Sequence, residues 1–186
     1  MRVLTTERLL LVPWQDRFRD DVARLTSDPR VYRFLGNGRP WDPGFVDQRH
    51  RAYLEHWSQH GFGWRGVLDV TSEEFLGVAA LNYAGSQIPA SGGRAFEIGW
   101  WLDPRYWKRG IALEAATAVR DDAFVGLRAE RLVAQFQPAN SASERIAARL
   151  GMRLQGEAVG AAGEAIRICV LERRAWEEDR VAAAGG

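Results

Sequence analysis

The sequence is poor in several things that would each have pointed to a special setting. Cys169 is the only cysteine in 186 residues, so no disulfide can form within the chain and a disulfide-stapled scaffold is excluded. It lies in the apolar run Ile166–Leu171, where a free thiol serves as a small core hydrophobe more often than as a nucleophile. Lysine is equally scarce: Lys108 stands alone, and arginine carries nearly all the positive charge. Neither sign of charge dominates. The 25 basic and 24 acidic residues leave a formal net charge of +1, which gives no electrostatic reason to expect nucleic acid or a membrane surface as partner. No stretch approaches the ~20 apolar residues needed to span a bilayer. The opening from Met1 to Arg8 holds a short apolar run and then charge, unlike a secretory leader, so the expected location is cytoplasmic. Internal repeats, linkers and low-complexity blocks are missing too.

What is present suits one domain. A hydrophobic share of 46% and a charged share of 26% are those of an ordinary globular protein, and the length supports one sizeable core. The expectation is a single α/β domain over 1–181, followed by a disordered tail at 182–186. Arg8–Trp14 reads as a first strand. Phe18, Val22 and Leu25 then fall at helical spacing until Asp28-Pro29 closes the segment, and Val31–Leu35 is a short apolar piece. Asp42-Pro43 opens a helix to about His60, stopped by Gly61. His50, His56 and His60 all fall in that helix; with no further ligands in sight they read as a solvated face, and no metal is expected. Trp64–Val70, Phe75–Tyr83 and Ala95–Leu102 read as strands, the first two as a hairpin. A helix from near Arg109 carries Ala112, Ala115, Ala116, Val119 and Ala123 on one face. Arg131–Phe136 is a strand, Ser141–Leu150 a helix with Ser141 and Glu144 as a capping box, and two strands follow near 152–159 and 164–172. This order predicts a mixed sheet with helices on both faces.

The stretch from Glu97 to Ala112 carries the chemistry. A strand ends at Asp103-Pro104, a basic loop follows, and a helix of small residues opens at Gly110. The first turn of a helix has N–H groups without partners and a dipole that favours anions. Lys108 and Arg109 add charge, while Gly110 and Ala112 allow close approach. The segment reads as a phosphate-binding loop, or else as a tight turn with solvated basic residues. A second stretch, Pro138–Glu144 continuing to Met152, leaves a strand and enters a helix.

Together these segments resemble the GNAT superfamily of acyl-CoA N-acyltransferases, in particular the branch of the ribosomal-protein (alanine) N-terminal acetyltransferases. The likeness rests on Thr6-Glu7-Arg8-Leu9 at the opening, on Glu97-Ile98-Gly99-Trp100-Trp101-Leu102-Asp103-Pro104, on Tyr106-Trp107 through Gly110, Ala112, Glu114 and Ala115, on Asn140, Ser143 and Leu150-Gly151-Met152, and on the late Trp176. It covers nearly the whole chain, with the motifs in order.

The resemblance implies a mostly antiparallel sheet of six or seven strands. It implies acetyl-CoA as co-substrate, an amine acceptor (a small molecule or a peptide N-terminus), no metal, and a possible homodimer. Trp107, Lys108, Arg109, Gly110, Ile111 and Ala112 would wrap the pyrophosphate, with Lys108 where the branch often has glycine. Trp100, Trp101 and Leu102 would offer backbone groups to the pantetheine arm, which Asn140 would bond. Ser143 would reach the sulfur. Glu97 would act as general base through water, since family members place a carboxylate on this strand, unless it is paired with an arginine such as Arg94. Ala147 stands where many members carry a general-acid tyrosine. Trp41, Asn82 and Tyr83, with the Val31–Trp41 loop and the Tyr83–Arg94 connection, would line the acceptor site. Acceptor candidates are peptide N-termini, small amines or amino acids, and aminoglycosides. The competing expectations are a non-catalytic acyl-CoA sensor and a nucleotide-binding regulatory module.

Overall fold

A computed structural model describes residues 2–84 and 94–184. Eight strands form one sheet in the order β1-β2-β3-β4-β5-β6-β8-β7. They are β1 (Leu4–Thr5), β2 (Leu9–Pro13), β3 (Arg65–Asp69), β4 (Phe75–Tyr83), β5 (Ala95–Leu102), β6 (Arg131–Phe136), β7 (Arg153–Val159) and β8 (Ala165–Glu172). The six helices are α1 (Arg19–Ser27), α2 (Pro29–Tyr32), α3 (Pro43–His60), α4 (Ile111–Val125), α5 (Ser141–Arg149) and α6 (Arg173–Ala184). The strand beyond the expected six or seven is β1, whose two residues pair with Leu10 and Leu11 and are too few to show a period. None of the helices is long and apolar enough to cross a membrane.

All neighbouring strands run antiparallel except β5 and β6. That parallel pair is short: Ala95, Phe96 and Glu97 lie opposite Arg131, Leu132 and Val133, and no pairing continues beyond. One core packs α4 against Phe96, Ile98, Leu102, Leu132 and Ala134, and it also takes in Cys169 and Trp176. The other packs α1 and α3 against Val78 and Ala80, around Trp14, Phe18, Tyr53 and Trp64. Gly77 lets β4 approach the end of β5, since a Cβ there would sit 2.2 Å from the Trp101 carbonyl oxygen.

The local signals act mostly as read. Asp42 caps α3 by accepting from the Phe45 N–H at 2.9 Å, Pro43 occupies its first turn, and Gly61 closes it at φ 73°. Three readings need correction. Asp28-Pro29 does not simply end a helix: Asp28 turns extended and its carboxylate accepts from the Arg30 N–H, starting α2, so Val31 sits in a second short helix. Asn140, not Ser141, caps α5, its Oδ1 accepting from the Ser143 N–H at 3.1 Å. His50 is buried rather than solvated, with Nδ1 accepting from the Trp14 indole at 3.0 Å, while His56 and His60 pack against one another and Phe62. No group of three His, Cys, Asp or Glu side chains among the described residues is placed to hold a metal ion.

Asp103, buried at the end of β5, ties both faces together. It accepts from Arg24 of α1 at 2.5 Å and from the Arg105 guanidinium at 2.9 Å. Burial opposes its charge, but the bonds from Arg105 and Arg24 prevail and hold its pKa down at about 2. A carboxylate whose folded pKa lies below the unfolded 3.8 contributes stability that is complete above the unfolded value and is lost as pH falls through about 2. Asp103→Asn is expected to cost about 2 kcal/mol at pH 7. Urea unfolding should show the gap between variant and wild type closing between pH 4 and 2; a gap of equal size at both ends would exclude a charge origin.

Candidate functional site

The loop after β5 is shaped by backbone conformation. Asp103 caps the 3₁₀ turn Pro104–Tyr106, and Trp107 then runs extended and folds back, its indole N–H donating to the Leu102 carbonyl at 2.9 Å. Lys108 (φ 61°) and Gly110 (φ 78°) are both left-handed. Glycine adopts this conformation freely, whereas a lysine is held there at a cost on the order of 1 kcal/mol. Gly110 is the N-cap of α4 and offers no capping side chain, so the first-turn N–H groups of the helix face outward with the positive end of its dipole.

These N–H groups open on a cleft of about 550 Å³ where β5 and β6 part. One wall is Ile98–Leu102 with Tyr106–Lys108 and Gly110–Leu113; the other is Ala134–Phe136 with Ala139–Ser143. Arg30, Val31, Arg33, Phe34 and Leu35 close the side next to α2, and Arg145 and Arg149 project from α5. Among the described residues the lining therefore holds Arg30, Arg33, Lys108, Arg145 and Arg149 but no Asp or Glu, with Arg30 paired to Asp28 at 2.6 Å. Such a lining favours an anion.

Of the sequence-derived donor residues, Trp100, Trp101, Leu102, Trp107, Lys108, Gly110, Ile111, Ala112, Asn140 and Ser143 all line this cleft. Arg109 does not; its guanidinium lies 5.7 Å from the Tyr106 ring centroid and its carbonyl faces Arg8. Ser143 is half-buried, with no hydrogen-bond partner for its hydroxyl among the described residues. Ala147 is buried in the core.

Glu97 does not line the cleft either, although Gly99 and Trp101, on the same strand face, do. It is half-buried, lies opposite Asn82 on β4 and Val133 on β6, and has no hydrogen bond or ion pair among the described residues. Burial alone pushes its carboxyl pKa up. The pairing with Arg94 is not formed: Arg94 instead donates to the Leu127 carbonyl.

Of the residues expected at the acceptor, Trp41 meets Trp101 edge-on at 5.5 Å, and Asn82 Oδ1 accepts from the Trp64 indole at 2.9 Å. Tyr83 faces the other way, stacked on Phe96 at 5.5 Å and half-exposed. Most of the Tyr83–Arg94 connection, 85–93, lies outside the described residues.

Sequence reasoning missed Arg30, Arg145 and Arg149, which sit among many surface arginines with nothing in the sequence to single them out. It also gave no role to Thr6 and Arg8, which reach Glu114 more than a hundred residues away. Glu114 accepts from Thr6 Oγ1 at 2.6 Å, from the Arg8 N–H at 3.1 Å and from Arg8 Nε at 2.7 Å. Burial opposes the Glu114 charge, but these bonds outweigh it and hold its pKa below the ordinary value.

Comparison with known proteins agrees with this geometry. The family described as "Acetyltransferase (GNAT) domain" matches residues 8–153. An uncharacterized N-acetyltransferase of Bacillus subtilis, YnaD, is 27% identical over 154 residues, 82% of this chain and 84% of its own. The acetyltransferase crystal structure from Agrobacterium tumefaciens superposes with a TM-score of 0.78 at 28% identity, covering 92% of this chain and 95% of its own. The ribosomal L7/L12 α-N-protein acetyltransferase in complex with coenzyme A superposes with a TM-score of 0.73, over 92% of this chain and 98% of its own, but at 17% identity it speaks for the fold alone. The chain belongs to the GNAT family of acetyltransferases.

Proposed function

We propose that the protein moves the acetyl group of acetyl-CoA directly onto a primary amine, with no acyl-enzyme. The observation that carries this is the cleft itself: an acid-free, cation-lined opening between two parted strands, with the start of α4 among its walls. A pyrophosphate suits the N–H groups at Gly110–Ala112, with Trp107, Lys108 and Arg109 flanking. Strand alternation turns the backbone groups of Trp100 and Leu102 towards the gap beside β6, while Trp101 bonds β4. The Trp100 N–H and C=O and the Leu102 N–H suit the amides of a pantetheine arm, and one such N–H suits the thioester oxygen as negative charge develops there. Asn140 spends its Oδ1 on capping α5, which leaves its amide hydrogens for the arm.

The amine must reach the thioester as the free base. Glu97 lies two positions before Gly99 on β5, about 7 Å along a strand, a span suited to relay through one water. Desolvation raises the basicity of Glu97 towards the range where a carboxylate takes up a proton usefully. As the tetrahedral intermediate collapses, the C–S bond breaks and Ser143 Oγ hydrogen-bonds the departing thiolate. Cys169 is an unsuitable nucleophile for a covalent route, being buried in the core with its thiol pKa raised by burial.

For the acceptor, the lining next to α2 carries Arg33 together with Arg30, which is held by Asp28 at 2.6 Å, and it offers a polycation such as an aminoglycoside no free carboxylate among the described residues. Of the acids on nearby elements, Asp47 is already paired with Arg19 at 2.8 Å. A peptide N-terminus or a small monoamine fits better, at Trp41, Trp101 and Asn82.

Acetyl-CoA-dependent thiol release across peptides, amino acids, polyamines and aminoglycosides tests the reading. The rate should rise with pH through a pKa above the ordinary carboxylate range. Glu97→Gln should remove that limb and lower kcat about 100-fold. If its pH profile matches that of the wild type, Glu97 is not the base. Ser143→Ala should lower kcat about tenfold while leaving the KM for acetyl-CoA within about twofold, since its contact is with the departing sulfur. Tight acetyl-CoA binding with no release on any amine would leave a sensor rather than an enzyme.

A further inference from the structure

The Thr6-Glu7-Arg8 opening takes no part in the chemistry above, yet it lies directly behind the loop at the start of α4. Gly110 separates two hollows: it lines the cleft on one side and, on the other, an open depression shared with Thr6, Arg8 and Glu114. Arg8 borders only the second. From there its Nη1 donates to the Arg109 carbonyl at 2.9 Å, while Nε and Nη2 hold Glu114 at 2.7 and 2.5 Å. A Cβ added at Gly110 would sit 3.4 Å from Arg8 Nη2, so the guanidinium lies flat against the back of the loop.

We propose that Arg8 is a positioning residue for the donor's pyrophosphate, acting through the Arg109–Gly110 peptide. A trans peptide points its C=O and its N–H in opposite directions. Holding the Arg109 oxygen behind the loop therefore turns the Gly110 N–H forward into the cleft, where an anion meets it. The same guanidinium grips Glu114 in the first turn of α4, so loop and helix start are fixed relative to one another by one planar side chain with several donors. Glu114 in turn is fixed by Thr6. Lysine has one point charge and cannot span both partners in this way.

This inference rests on the acetyl-CoA reading of the cleft. Its test compares two donors that share thioester and pantetheine but differ in the pyrophosphate: acetyl-CoA and S-acetyl-pantetheine. Binding to folded wild type, Arg8→Ala and Arg8→Lys is followed by tryptophan fluorescence. Arg8→Ala is expected to weaken acetyl-CoA about tenfold, the worth of one charge-assisted hydrogen bond, and S-acetyl-pantetheine less than about twofold. Arg8→Lys should fall between wild type and alanine for acetyl-CoA only, and it carries the comparison if the alanine variant does not fold. Equal losses for both donors would mean a merely structural role, and no loss for either would mean no role; each overturns the proposal. A wild type that binds neither donor would defeat the acetyl-CoA reading itself, so the two failures are told apart.

Discussion

β5 and β6 pair for three residues and then part, and the site follows from that parting. Each strand leaves N–H and C=O groups without a ladder partner just where the sheet is otherwise continuous on both sides, and groups left in that condition need something to bond. A parallel pair also requires a crossover, here α4, which starts within a few residues of the end of β5. The helix start, with its free N–H groups, is thereby delivered to the mouth of the cleft. An open strand edge and a positive helix end in one hollow are two halves of one requirement: a ligand with amides along its length and an anion at its end.

The electrostatics divide along the same line. Cations line the cleft, while Glu97, half-buried and without an ion pair among the described residues, stands just before Ile98 on β5, outside the lining. A carboxylate inside a phosphate site would repel the donor, and a cation beside Glu97 would lower its basicity. With no ion pair at Glu97 and no acid in the cleft, neither conflict arises.

Local signals in the sequence were legible where neighbours in the chain decide the outcome. The Asp42-Pro43 start and the Gly61 stop of α3 depend on residues within one turn. Failures came where a distant partner decides. His50 looks like a helix-face histidine until Trp14 takes its nitrogen, 36 residues away. Tyr83 follows Asn82 on β4 and is expected beside it, but strand alternation turns it towards Phe96. Arg145 and Arg149 are ordinary arginines of α5 until the sheet opens beside them.

Lys108 shows how such distant ties shape the site. A left-handed lysine is unfavourable in isolation, and a loop that needed it would relax if it were free to do so. This loop is gripped from three directions. Asp103 and Arg24 bind its start to α1, Trp107 bonds back to Leu102, and Arg8 holds Arg109 from behind. These contacts over-determine the backbone between them, so the strain at Lys108 persists instead of spreading. A loop fixed in this way has less freedom to lose than a free one, whatever it binds.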